Sequence, residues 1–130
     1  HPGEMARLTG LSIDEIQANR ESVALKFAKD YNCILLLKGN KTVIASPDGE
    51  VTVNETGNSG MASGGMGDVL TGVIASFMGQ GVDAYNAACL GAYIHGLSGD
   101  IAVREKGEFG LIAGDVTEKL PYAIKMINNK

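Results

Sequence analysis

Residues 57–68 read Gly-Asn-Ser-Gly-Met-Ala-Ser-Gly-Gly-Met-Gly-Asp and lead into the apolar segment Val69-Leu70-Thr71-Gly72-Val73-Ile74-Ala75. Five glycines in the eleven residues before Asp68 allow positive φ and a close approach of backbone to a ligand. The amides that open a helix lack intrahelical acceptors, and with the helix dipole they form a ready site for phosphate. A carboxylate beside that point can take the proton from a hydroxyl that attacks phosphorus. Phosphoryl chemistry at a glycine-rich anion hole is the reading these residue types support. A bare Gly-x-Gly-Asp is more often a turn followed by a helix cap. A twelve-residue loop with so few bulky side chains is costly to order, which tips the balance toward function.

Other candidates stand in weaker settings. Lys38-Gly39-Asn40-Lys41-Thr42 follows an apolar run, and the carboxyl end of a strand is where open α/β sheets hold ligands. Lysine offers phosphate a mobile point charge, and a polar turn is the competing reading. His1 with Glu4 at a helix start could position a polar substrate. His95, inside an apolar helical segment, reads as a satisfied core histidine. The five methionines form no stripe and read as packing. Asp115 reads as a first-turn helix acid, and Asp14, Asp30, Asp48 and Asp83 as caps, turns or surface.

These residues need elements to hold them. A short helix is expected from about Gly3 to Thr9, closed by Gly10. Ser12 and Glu15 form a capping box for a helix running to about Asp30. Cys33-Ile34-Leu35-Leu36-Leu37 is a continuous apolar run, the mark of a strand covered on both faces. Thr42–Ser46 and Val51–Asn54 flank Pro47-Asp48-Gly49-Glu50, a hairpin with an Asp-Gly turn. Past the glycine loop, helices are expected from about Gly67 to Met78 and from Asp83 to about Arg104. Gly107 to Gly110 reads as a loop. The last helix starts near Ala113 to Asp115 and bends or restarts at Pro121. The order α, α, β, hairpin, loop, α, α, α describes an α/β protein with part of its sheet missing.

The 130 residues amount to one domain at most, with 45 % hydrophobic content and 5 % aromatic. Eighteen glycines are about twice the usual share of roughly 7 %. A net charge of −4 and the lack of a basic stripe argue against nucleic acid or an anionic membrane as partner. No apolar run approaches the roughly 20 residues of a membrane span. Cys33 and Cys89 lie in apolar segments and read as buried thiols of a reducing, cytoplasmic compartment.

His1-Pro2-Gly3-Glu4-Met5-Ala6-Arg7-Leu8, Lys38-Gly39-x-x-Thr42 and Gly57-Asn58-x-Gly60-Met61-Ala62-Ser63-Gly64-Gly65-x-Gly67-Asp68 occur in this order and spacing. In this the chain resembles the NAD(P)H-hydrate dehydratases of the ribokinase-like superfamily. The resemblance covers residues 1–130 and corresponds to the C-terminal half of that family's domain. It implies a ribokinase-like three-layer α/β architecture, present in part.

The resemblance also implies roles. Asp68 is the base that activates the ring hydroxyl of hydrated NADH or NADPH. The amides of Gly64, Gly65, Met66 and Gly67 form the anion hole, and Gly67 also touches the adenine nucleotide. Lys38, Gly39, Asn40, Lys41 and Thr42 hold the AMP part, and His1 joins Asp68 in contacting the hydrated dinucleotide. The implied reaction phosphorylates that hydroxyl with ADP (or ATP) and Mg²⁺, then eliminates phosphate to restore NAD(P)H. The Met-Ala-Ser form of the loop is similar to bacterial members that use ADP. Met66 stands where many members carry Ser or Thr. No dedicated metal cage is visible.

Two other functions stay open. A ribokinase-like small-molecule kinase would share Gly-x-Gly-Asp and its base. A non-catalytic nucleotide-binding piece would need neither. Nothing in the chain matches the family's N-terminal half, so association with that half, or with a second copy, is expected to complete the sheet.

Overall fold

The computed structural model describes residues 1–129. They form two compact units, His1–Asn54 and the chain from Glu55 onward.

In the first unit, α1 (Pro2–Thr9) opens on a capping box made by His1 and Glu4, and Gly10 closes it at φ 76°. Only glycine takes that left-handed C-cap freely. α2 (Ile13–Ala18) starts on the expected Ser12–Glu15 box, with Glu15 N donating to Ser12 Oγ at 3.1 Å and Ser12 N to Glu15 Oε2 at 2.7 Å. The helix expected to reach Asp30 instead breaks at Asn19 (φ −136°, ψ 43°) and restarts as α3 (Arg20–Tyr31). The Asn19 side chain donates to the Glu15 carbonyl at 3.2 Å, a local bond that competes with continuation of the helix.

Three short strands follow: β1 (Leu35–Leu37), β2 (Val43–Ala45) and β3 (Val51–Val53). They pair antiparallel in the order β1-β2-β3, with Leu36 opposite Ile44 and Ile44 opposite Thr52. The hairpin turn lies where Asp48-Gly49 predicts it, with Gly49 at φ 96°. The first apolar run is not covered on both faces, because only its Leu37 is buried whereas all of β2 is. β2 is the middle strand, and β1 has a paired neighbour on one side only among the described residues. Ile16, Ala24 and Ala28 pack with Leu37, Val43 and Ala45 to make the core of this unit.

In the second unit, a single 3-10 turn (Ser59–Met61) interrupts the glycine loop before α4 (Met66–Gly79). α5 (Ala84–Lys106) is capped by Asp83, whose Oδ1 accepts from Asn86 N at 3.1 Å. α6 (Ala113–Asn128) continues through Pro121 without the restart that the sequence allowed there. Val116 and Ala123 are both buried on either side of that proline, so tertiary packing outweighs the one backbone bond it removes. Both cysteines are free and partly exposed rather than buried. No helix of the described residues is long and apolar enough to cross a membrane.

The small residues of α5 decide its packing. A Cβ on Gly91 would lie 2.5 Å from Ile74 Cγ1 of α4, and one on Gly96 would lie 2.7 Å from the Thr56 backbone carbonyl carbon. Gly72 of α4 has open space at the same position. Gly96→Ala should therefore lower stability by about 1–3 kcal/mol. Gly72→Ala should raise it by about 0.5–1 kcal/mol. Urea midpoints of the two variants against the parent check both signs.

Candidate functional site

The glycine loop delivers its backbone to α4 in the way an anion site requires. Gly65 is the N-cap of α4 in the left-handed region at φ 86°, and no side chain caps the helix. The Met66 amide reaches only the Ser63 carbonyl, at 3.5 Å. The amides of Gly67 and Asp68 belong to the first turn, where a helix supplies no acceptor. Gly64 and Gly65 are exposed, and a Cβ on Gly64 would meet nothing within 4 Å whereas one on Gly65 would lie 3.1 Å from the Ala113 Cβ, so the loop is open on the Gly64 side. Asp68 is the third residue of α4 and its side chain is exposed. The Met66 side chain is buried, so this residue offers an anion its backbone alone.

What holds this loop was not apparent from the sequence. Thr56 Oγ1 donates to the Tyr93 carbonyl at 2.9 Å, and Gly57 N donates to Asp100 Oδ2 at 3.0 Å. Asn58 Nδ2 donates to Asp100 Oδ1 at 2.8 Å, while Asn58 Oδ1 accepts from Gly60 N at 3.0 Å. The available signal was an acid, Asp100, directly after Gly96 and Gly99 on a face of small residues.

His95 is buried as expected but is not fully satisfied, since its Nε2 has no hydrogen-bond partner. Burial pushes its pKa down, and an interaction with the Met66 backbone pulls weakly the other way. The imidazole therefore stands neutral beside the first residue of α4.

In the first unit, Lys38 to Thr42 form a tight turn with Gly39 at φ 147° and Lys41 at φ 57°. Arg20, unremarked in the sequence, holds it from inside. Its Nη2 donates to the carbonyls of Leu37 (3.1 Å) and Lys41 (3.4 Å), and its Nη1 to Lys38 (3.5 Å) and Gln17 Oε1 (2.7 Å). Gly39 is needed here, because a Cβ would sit 3.0 Å from Arg20 Nη1. Thr42 Oγ1 bonds back to the Gly39 carbonyl at 3.4 Å. A hollow of about 470 Å³ lies beside the turn, lined by Asn19, Arg20, Asn40 and Lys41 among others.

His1 spends its Nδ1 on the Gly3 amide at 3.1 Å, which leaves Nε2 on an exposed ring. Glu4 accepts a hydrogen bond from the His1 nitrogen at 3.2 Å, and that bond, with the charge of Lys38, holds its carboxyl below the usual carboxylate range. The first two sequence motifs thus act on each other within one unit. Among the described residues no group of three His, Cys, Asp or Glu could hold a metal ion.

Residues 1–122 match the family described as NAD(P)H-hydrate dehydratase. The chain is 51 % identical over 130 residues to the bifunctional NAD(P)H-hydrate repair enzyme Nnr of Moorella thermoacetica, covering 100 % of the chain and 24 % of that relative. The crystal structure of the ADP/ATP-dependent NAD(P)H-hydrate dehydratase from Bacillus subtilis, co-crystallized with ATP/Mg²⁺, superposes with a TM-score of 0.93 at 37 % identity. It covers 97 % of this chain and 46 % of its own. A ribokinase-like superfamily protein from Enterococcus faecalis gives a TM-score of 0.75 at 33 % identity over 96 % of this chain and 42 % of its own. The chain therefore spans a quarter to a half of the length of these relatives and has the ribokinase-like α/β fold in part.

Two outcomes test the local geometry. Arg20→Met removes the donor shared by the Leu37, Lys38 and Lys41 carbonyls and should cost about 1–2 kcal/mol, read from the urea midpoint. The His95 effect has a definite sign. A folded-state pKa below the unfolded one means that the unfolded chain gains the proton first, so stability is full above about pH 6.5 and falls as the pH drops below it. His95→Gln should flatten that slope, measured as urea midpoint against pH.

Proposed function

This chain belongs to the NAD(P)H-hydrate dehydratase family, and from that premise we propose that it carries the phosphoryl-transfer half of such an enzyme. The observation that carries the reading is the open, side-chain-free N-terminus of α4 with Asp68 exposed in its first turn.

In this reading the amides of Gly64 to Gly67 hold the transferred phosphate by backbone donors and the α4 dipole. Asp68 accepts the proton of the ring hydroxyl of hydrated NADH or NADPH as that oxygen attacks phosphorus. The adenine nucleotide, ADP or ATP, supplies the phosphoryl group, which turns a poor leaving group into a good one. Lys38, Gly39, Asn40, Lys41 and Thr42 bind the AMP part, with Arg20 keeping their turn in shape. His1 offers Nε2 to the hydrated dinucleotide.

The donor set fits the nucleotide, because the open amides of one unit and the lysines of the Lys38–Thr42 turn in the other are each groups that suit phosphate. It does not supply a cage for Mg²⁺, so the ion would be held largely by the nucleotide's own phosphates and water, as is common for magnesium. The chain's share of its relatives' length points to a segment that must be joined by the rest of the domain, or by a second copy, before turnover.

Regeneration of NADH absorbance from hydrated NADH with ADP and Mg²⁺, in the complete protein that carries this chain, tests the reading. Asp68→Asn should lower kcat by about 10²–10⁴-fold with little change in nucleotide KM. Accumulation of a stable phosphate ester instead of inorganic phosphate would establish a small-molecule kinase. Nucleotide binding without turnover, unchanged in Asp68→Asn, would establish a binding module.

A further inference from the structure

A phosphate site made of backbone amides works only if the backbone is held, and the side chain that holds this one lies outside the glycine motif. We propose that Asp100 is a positioning residue for the anion hole, fixing the loop's geometry through Asn58. The inference rests on reading the loop as a phosphate site.

Both oxygens of the partly buried Asp100 carboxylate are committed to the loop, Oδ2 to the Gly57 amide and Oδ1 to the Asn58 side-chain amide. This fixes which way the Asn58 amide faces, with Nδ2 toward α5 and Oδ1 toward Gly60 N, where it caps the 3-10 turn. Gly60 packs closely on the Glu108 backbone, from which even a Cβ would lie only 2.9 Å away. Met61 lies over Gly99, where a Cβ would come within 2.7 Å of its Cε.

Gly96, Gly99 and Asp100 are spaced i, i+3, i+4, so one face of α5 receives the whole segment from Thr56 to Met61. Beyond Met61 only Ala62, Ser63, Gly64 and Gly65 remain before the buried Met66. At about 3.5 Å per residue, so short a tether passes any shift at Asn58 on to the Gly65–Gly67 amides.

The bonding sense is directional, which supplies the test. A carboxylate accepts from both neighbours, whereas an amide must donate on one side. Asp100→Asn leaves an amide facing two donors with only one acceptor oxygen. Asn58→Asp sets two carboxylates against each other. In the double variant Asn58→Asp/Asp100→Asn, the amide now on α5 accepts from Gly57 and donates to the carboxylate now on the loop. The second oxygen of that carboxylate still accepts from Gly60, so every bond is restored.

The experiment follows the backbone amides of the full ¹⁵N-labelled chain by NMR and titrates ADP. Asp100→Asn should speed hydrogen exchange at Gly57 and Gly60 and weaken ADP binding, each by about tenfold, and should move the Gly65 and Gly67 resonances. Asn58→Asp alone should do at least as much. The double variant should return all readouts to within about threefold of the parent. A merely structural role would move the melting temperature in step with affinity in the single variants and would leave the Gly65 and Gly67 resonances in place. The proposal is overturned if Asp100→Asn leaves exchange at Gly57 and Gly60 unchanged, or if the double variant is no better than the worse single one. If the parent chain fails to bind ADP, the phosphate-site reading falls, while exchange and rescue still decide what Asp100 does.

Discussion

The close approach of residues 56–61 to α5 is the constraint on which the second unit depends. It is possible because Gly96 and Gly99 carry no side chains, so that Thr56 and Met61 meet helix backbone directly. Glycine inside a helix costs about 0.5–1 kcal/mol relative to alanine, and α5 holds three with backbone or side chains against them. The helix tolerates this because it is 23 residues long, so the cost of nucleation is spread over many bonds. Its other buried positions are mainly alanines and Ile94, which keep neighbouring elements near. The Thr56 bond to the Tyr93 carbonyl then fixes the point of contact.

The helix starts divide by purpose. α1, α2 and α5 each have a side chain accepting from their first turn, and those amides are spoken for. α6 lacks such a cap, Asp115 accepting only from the amide of its N-cap residue Ile112 at 3.0 Å, but it is entered through extended backbone at φ −124°. α4 has no side-chain cap, and a glycine at φ 86° turns the chain into it. α3 also lacks a side-chain cap, yet it continues directly from α2 without a glycine approach. Absence of a cap together with open backbone before it is what sets α4 apart. An added side-chain cap at Gly65 would fill the amides that the loop is built to leave free.

The parts of this structure that were legible in the sequence are those fixed by local rules. Ser12 with Glu15, Gly10, Asp48-Gly49 and Asp83 each act within four residues, and each stands where its chemistry predicts. The glycine loop was legible for the same reason, since conformational freedom is written into its composition. Its supports were not. Asp100 reaches Gly57 and Asn58 across 43 and 42 residues, and Arg20 reaches its carbonyls across 17 to 21. No periodicity joins such pairs. The break at Asn19 and the unbroken helix at Pro121 fail the local rules in opposite directions. In the first a side-chain bond ends a helix that propensity would extend, and in the second packing of Val116 and Ala123 carries a helix past a residue that should stop it.

The electrostatics bear on how an acidic chain can serve phosphate. A formal net charge of −4 gives no long-range pull on a polyanion. At physiological ionic strength charges are screened beyond about 8 Å, so the sum over the chain matters less than what stands within reach. At α4 that is a set of backbone dipoles, which carry no net charge and lose little to screening at contact distance. In the turn at Lys38 to Thr42 it is two lysines on backbone pinned by Arg20, whose own charge is turned inward onto carbonyls. Arginine here ties backbone carbonyls together, while of the two lysines, the more mobile point charges, Lys41 is exposed and Lys38 half-buried. Recognition by such elements depends on geometry before charge, which is why glycine, Asp100 and Arg20 matter as much as the groups that would touch the ligand.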